Sequence, residues 1–193
     1  NLFVQDETAG LSIQAEGLTQ AAVGDVVDVD GFPDMTRFTP SLHQAILRRV
    51  AIGKSIKPAP ITSRQALEHD NTAEIVDARL VSVTGRVLGR VSAPGGGSLV
   101  VESDSTIFDV HFRTNAVLRA IPQIRNGSEI AVTGVCAVEL GGDRTPATFS
   151  VLIRSPEDIA IITAAPWWTL RHTLTVGAGL LLPGVNEIRK DRQ

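Results

Sequence analysis

Residues 24–31 read Gly-Asp-Val-Val-Asp-Val-Asp-Gly, and residues 127–134 read Gly-Ser-Glu-Ile-Ala-Val-Thr-Gly. In the first run Val27 and Val29 alternate with Asp28 and Asp30. A period of two makes a strand with one face buried and one face wet. Gly31 closes the run, as a bulge or a tight bend would. Each run follows a strand–turn–strand pattern. Leu2-Phe-Val-Gln5 and Leu11-Ser-Ile-Gln14 flank the turn cluster Asp6-Glu-Thr-Ala-Gly10, and Leu99–Glu102 and Ile107–Phe112 flank Ser103-Asp-Ser105. Downstream, Phe38–Val50 aligns with Phe149–Ile161 without a gap. The same pieces in the same order predict an internal repeat. Only the second copy has a long β-rich run ahead of its hairpin, Ala78–Val91, broken by Gly85 and Gly89.

A long bent strand, a hairpin, a short helix-like segment and two more strands describe a five-stranded Greek-key barrel. This is the order of the oligonucleotide/oligosaccharide-binding (OB) fold, with a β-sandwich as the alternative. The expected class is mostly β: two tandem OB-like Greek-key barrels, the first lacking its opening strand, plus a short hydrophobic C-terminal helix. The boundaries are 1–53 for the partial barrel, 54–71 for a linker with a short helix, 72–165 for the second barrel, and 166–193 for a hydrophobic segment with a basic flank. Within the linker, Pro58-Ala-Pro60 reads as a stiff extended connector. Thr62-Ser-Arg-Gln65 fits a capping box that starts a short helix. A second short helix is expected within residues 115–124, ended by Pro122.

Composition narrows the function. Of 193 residues, 43% are hydrophobic and 20% charged, ordinary for a globular chain, and the net charge is −3. No Lys or Arg occurs before Asp34, whereas Asp6, Glu7, Glu16, Asp25, Asp28, Asp30 and Asp34 are acidic. Such a segment repels a phosphate backbone, and nucleic acid is not the expected partner. Aromatic residues are 4% with no tyrosine, which leaves little for stacking on single strands. The single cysteine, Cys136, cannot form an intrachain disulfide and sits in an apolar strand, where a thiol is inert. His43, His69, His111 and His172 fall in separate segments with no metal spacing. Gly95-Gly-Gly97 lacks the Lys-Ser/Thr of a phosphate loop. The residues therefore point to no catalytic site, no metal and no cofactor.

The C-terminus changes character. Trp167 and Trp168 follow Pro166; Leu174–Val185 is almost wholly apolar; Arg189, Lys190 and Arg192 follow. Aromatic belt, apolar run and basic flank have the order of a membrane boundary. Twelve residues interrupted by Pro183 fall short of the ~20 that a span needs. A hydrophobic helix, an interfacial segment and the remnant of a longer span all fit. The chain also opens on a strand with no signal-peptide pattern, and is read as a piece of a longer protein.

The elements Leu2-Phe-Val-Gln-Asp-x-Thr-Ala-Gly-Leu11, Gly24-Asp-x-Val-x-Val-x-Gly-Phe32, Arg37-Phe-x-Pro40, Pro58-x-Pro-x-x-Thr62 and Pro166-Trp-Trp-Thr169 occur in that order. Together they resemble the extracytoplasmic region of bacterial, acidobacterial-type membrane-bound sensor histidine kinases and diguanylate cyclases. The resemblance implies a non-catalytic periplasmic sensory or interaction region on the outer face of the inner membrane, anchored by one span in a parent protein. Its output kinase or cyclase domain would lie outside this chain. Trp167, Trp168, Arg189, Lys190 and Arg192 would mark the membrane boundary. The implied partners are a small ligand or a periplasmic protein, the membrane through the C-terminal segment, and a second copy through the parent.

On the usual OB ligand face, the second and third strands, the candidates are Gln5 and Asp6 in the first barrel and His111 and Arg113 in the second. Alternative readings are an OB-type nucleic-acid module and a structural spacer stiffened by Pro58-Ala-Pro60.

Overall fold

A computed structural model describes residues 2–16, 21–36, 38–53, 56–68, 75–114, 119 and 124–165. The chain is mostly β. The second copy contains β6 (Leu80–Ala93), β7 (Gly96–Ser103), β8 (Thr106–Phe112), β9 (Glu129–Leu140), β10 (Pro146–Leu152) and β11 (Ile159–Thr163). Strand β6 pairs with β7, β7 with β8, β8 with β10, β10 with β9, and β9 returns to β6. Every pairing is antiparallel except β8 with β10, which is parallel. This closed order is the Greek-key barrel of the OB fold, and the sandwich alternative is set aside.

The first copy repeats that order minus one strand. β1 (Leu2–Gln5), β2 (Gly10–Ala15), β3 (Val26–Asp34) and β4 (Ser41–Ala51) form a sheet in the order β1-β2-β4-β3. Here too the single parallel pairing is the one between β2 and β4. Thus β1, β2, β3 and β4 stand where β7, β8, β9 and β10 stand, and nothing among the described residues occupies the place of β6. The opening glycines agree: Gly24 and Gly127 hold φ of 94° and 91°. That region is open to glycine and costly to residues with a Cβ.

The strand register refines the repeat. Leu42 lies opposite Pro33 and Val151 opposite Cys136, so Ser41 corresponds to Ser150. Further along, Leu47 lies opposite Val29 and Ile159 opposite Val132. An ungapped match of Phe38–Val50 to Phe149–Ile161 is therefore out of step at both ends. The reason is a 3-10 turn, Pro156–Asp158, inserted in the second copy. It splits into β10 and β11 what the first copy builds as the single strand β4.

Burial follows closure. The hydrophobic core lies in the second barrel, around Val81, Val83, Leu99, Val101, Phe108, Val110, Ile130, Val132, Phe149 and Val151. Phe108 and Phe149 stack there with centroids 4.7 Å apart. Among the described residues of the first copy, only Ile13 and Ala45 are buried apolar side chains. Leu2 is 38% exposed, whereas Leu99, at the same barrel position, is 0% exposed.

The linker is packed rather than free. Ala59–Pro60 forms a two-residue edge strand, β5, parallel to β6, a place where proline's missing N–H does no harm. The helix α1 (Ser63–Leu67) carries the expected capping box: Gln65 N–H donates to Thr62 Oγ1, and Thr62 N–H to Gln65 Oε1. Ser63 Oγ donates to the Ser103 carbonyl at 2.8 Å and seats the helix on the β7–β8 turn. The expected helix near residues 115–124 and the segment 166–193, with its expected hydrophobic helix, lie outside the described residues, apart from Arg119 and Ile124. No helix among the described residues is long and apolar enough to cross a membrane.

Candidate functional site

The β7–β8 hairpin of the second barrel presents one face outward. Strand alternation turns Phe108, Val110 and Phe112 into the core and leaves Ile107, Asp109 and His111 outside. Residues opposite one another share a face, so three cross-strand rows follow. Arg86, Glu102 and Ile107 make the first, Gly89, Val100 and Asp109 the second, and Val91, Ser98 and His111 the third. Arg113 lies exposed just beyond the end of β8. The turn at Asp104-Ser105 holds both residues at positive φ, 47° and 64°, the geometry of a type I′ hairpin.

This face mixes exposed valine and isoleucine with two carboxylates, Glu102 and Asp109, one imidazole and flanking guanidinium groups. Among the described residues it carries no Phe, Tyr or Trp ring, because both phenylalanines of β8 are spent on the core. Such a surface can take a protein or a polar small molecule by side-chain contacts. It lacks the stacking platform that single-stranded nucleic acid uses.

The first-barrel candidates do different work. Gln5 Oε1 accepts the Leu80 backbone N–H at 2.7 Å, so this side chain joins the two copies. Asp6 closes its own turn: one carboxylate oxygen accepts from the Thr8 hydroxyl, the Thr8 N–H and the Ala9 N–H. The Thr8 hydroxyl and these amides hold its pKa down to about 2. His111 on β8 and Arg113 just past its end are both exposed, and Gln5 and Asp6 belong to the other copy. Trp167, Trp168, Arg189, Lys190 and Arg192 lie outside the described residues.

Sequence reasoning missed the joint between the copies. Asp77, 8% exposed, accepts the Val138 N–H at 2.7 Å through one oxygen and the Thr39 N–H at 3.2 Å through the other. Gly10 presses on the backbone at Ala78, where a Cβ would come within 2.4 Å of the carbonyl carbon. Phe38 reaches the core cluster of the second barrel. These partners are far apart in sequence, and no local pattern announces them. Beside the joint a cleft of about 500 Å³ runs between Val23, Ile52 and Ile56 on one side and Leu80, Thr133 and Arg154 on the other.

Cys136 faces the core, and burial, assisted by the nearby Asp77 charge, pushes its thiol up to about 12. Among the described residues no three His, Cys, Asp or Glu side chains gather as a metal site would require.

No family model matches this chain. No curated protein matches it. Solved structures resemble it at low identity. An OBody bound to hen egg-white lysozyme is 12% identical, covers 47% of this chain and 87% of its own, and has a TM-score of 0.38. The asparaginyl-tRNA synthetase of Pyrococcus horikoshii is 16% identical over 49% of this chain and 21% of its own, with a TM-score of 0.38. The aspartyl-tRNA synthetase of Entamoeba histolytica is 14% identical over 72% of this chain and 33% of its own, also at 0.38. This chain therefore spans a third or less of either synthetase chain.

Proposed function

We propose that the chain is a non-catalytic interaction region of a membrane-anchored bacterial signalling protein, in which the outer β7–β8 face receives a small ligand or a protein partner. The observation that carries this reading is the joint. Gln5, Asp77, Gly10 and Phe38 tie the first copy to the second by direct contacts, the arrangement that passing a bias from one barrel to the other requires. The membrane anchorage and periplasmic setting rest on the sequence resemblance and on the Trp-Trp, apolar and basic order after residue 165.

The second reading is an OB-type nucleic-acid module. Its support is the barrel order, together with exposed Arg86, Arg90 and Arg113 near the face. Against it stand the absent aromatic platform and the acidic first copy.

One paired assay separates the two. Purified chain is sedimented with vesicles of phosphatidylethanolamine and phosphatidylglycerol, and titrated with single-stranded oligonucleotides at low and moderate salt. The signalling reading expects vesicle binding that is lost on deleting residues 166–193, and no oligonucleotide binding. Oligonucleotide affinity that falls steeply with salt, without vesicle binding, would overturn it in favour of the second reading.

A further inference from the structure

The cleft beside the joint has two built walls. On one side Asp25 accepts the Ala22 N–H at 2.9 Å and the Gly53 N–H at 3.1 Å, which ties the turn ahead of β3 to the chain just past β4. Gly53 packs so closely on Gly24 that an added Cβ would lie 2.4 Å from the Gly24 carbonyl oxygen. On the other side stand Leu80 of β6 and Thr133 of β9, two strands paired in the closed barrel, with Arg154 just past β10. Packing therefore sets the shape of the cleft before anything enters it. Its volume of about 500 Å³ lies within the roughly 300–1,000 Å³ of small-molecule sites, which favour domain interfaces.

The lining has an apolar side and a cationic corner. Val23, Ile52 and Ile56 are all exposed and all line this one cleft. Large apolar side chains left open together mark a contact surface. Two of the lining residues carry charge, Asp25 and Arg154. The Asp25 side chain is only 6% exposed, with its oxygens on the Ala22 and Gly53 amides and near Arg49. The Arg154 side chain is 47% exposed, and the buried Asp158 carboxylate fixes it by accepting from Nε at 3.2 Å and from Nη2 at 2.7 Å. The charge that the cleft presents is therefore positive and held in place. We infer that the cleft binds a small amphipathic carboxylate, with its apolar chain against Ile52, Ile56 and Leu80 and its carboxylate at Nη1 of Arg154. Thr133 adds a hydroxyl at the same end. This is a second site, apart from the β7–β8 face, and its ligand touches both copies at once.

Octanoate is the probe, with octanol as the same chain without the charge and acetate as the charge without the chain. Amide shifts of the isotope-labelled full chain are followed through each titration. Octanoate should give saturable shifts at Gly53, Leu80 and Thr133. Octanol should bind at least ~10-fold more weakly, and acetate should not saturate. Arg154→Gln should bring octanoate down to the level of octanol. Ile52→Ser, at a side chain 85% exposed, should weaken both about 5-fold and leave the fold intact. Unchanged amide shifts in β7 and β8 are the folding control for both variants, and the comparison of the three probes needs no variant at all. Octanol binding as tightly as octanoate overturns the carboxylate assignment. Octanoate shifts that never saturate, or that gather at Asp109 and His111 instead, overturn the cleft as the site. Unchanged octanoate affinity in Ile52→Ser overturns it as well.

Discussion

Asp77 Oδ1 accepts the backbone N–H of Val138 at 2.7 Å, across 61 residues of sequence. The other oxygen accepts the Thr39 N–H, so one buried carboxylate satisfies a donor from each copy. Removing it strands two buried or part-buried amides. Asp77→Ala should cost about 2–4 kcal/mol in denaturant unfolding, with Asp77→Asn milder because the amide keeps one acceptor oxygen. Faster exchange at both Thr39 and Val138 is the accompanying signature. A change confined to Val138 would mean that Thr39 does not depend on this carboxylate.

The two barrels should answer core truncation differently. Phe108→Ala removes a fully buried ring stacked on Phe149, and should cost about 3–5 kcal/mol. Leu2→Ala, at a partly exposed place in the open copy, should cost less than about 1.5 kcal/mol. Thermal unfolding of the two variants compares them directly. Equal losses would show that the first copy has a closed core in solution.

Gly24 and Gly127 each precede a long strand at φ near +90°. At Gly127 an added Cβ would meet, among the described residues, only Ala165, at 3.9 Å, so the cost expected there comes from the backbone. Gly127→Val should lower stability by about 1–2 kcal/mol, and Gly127→Asn by less, since asparagine tolerates positive φ. Denaturant midpoints at constant slope are the measurement.

Asp158 links β10 to β11 through Arg154, whose guanidinium lies 2.7 Å from its carboxylate. Burial pushes the Asp158 pKa up, but the Arg154 side chain and amide outweigh it, and the net shift is downward. A carboxyl depressed in the folded state contributes stability above its unfolded value. That contribution is lost as pH falls from 3.8 through the folded pKa. Asp158→Asn should therefore flatten the acid limb of a stability–pH curve and lower stability at neutral pH. An unchanged acid limb would assign the acid sensitivity to other carboxylates.

Much of the fold was legible because strand alternation and turn chemistry are local. The runs 24–31 and 127–134 located β3 and β9, and Thr62 with Gln65 located α1. The 3-10 insertion at Pro156–Asp158 was not legible, since an ungapped alignment absorbs a three-residue turn as a small slip. Of the candidate ligand residues, His111 lies on β8 and Arg113 just past its end, both exposed. Gln5 and Asp6, the candidates in the first copy, stand at the end of a short apolar run and the start of its turn. Whether such a side chain faces solvent or an amide in another domain depends on packing alone.

The sequence by itself determined that this is a mostly β chain built from a repeated Greek-key pattern, the first copy short of its opening strand. Alternation, glycines and turn residues act over a few positions, and they are written in order along the chain. Only the tertiary structure decided which edges stay open, which aromatic rings fill the core, and how the copies are joined. Those outcomes turn on contacts between residues far apart in sequence, such as Asp77 with Thr39 and Val138, and no local pattern encodes them.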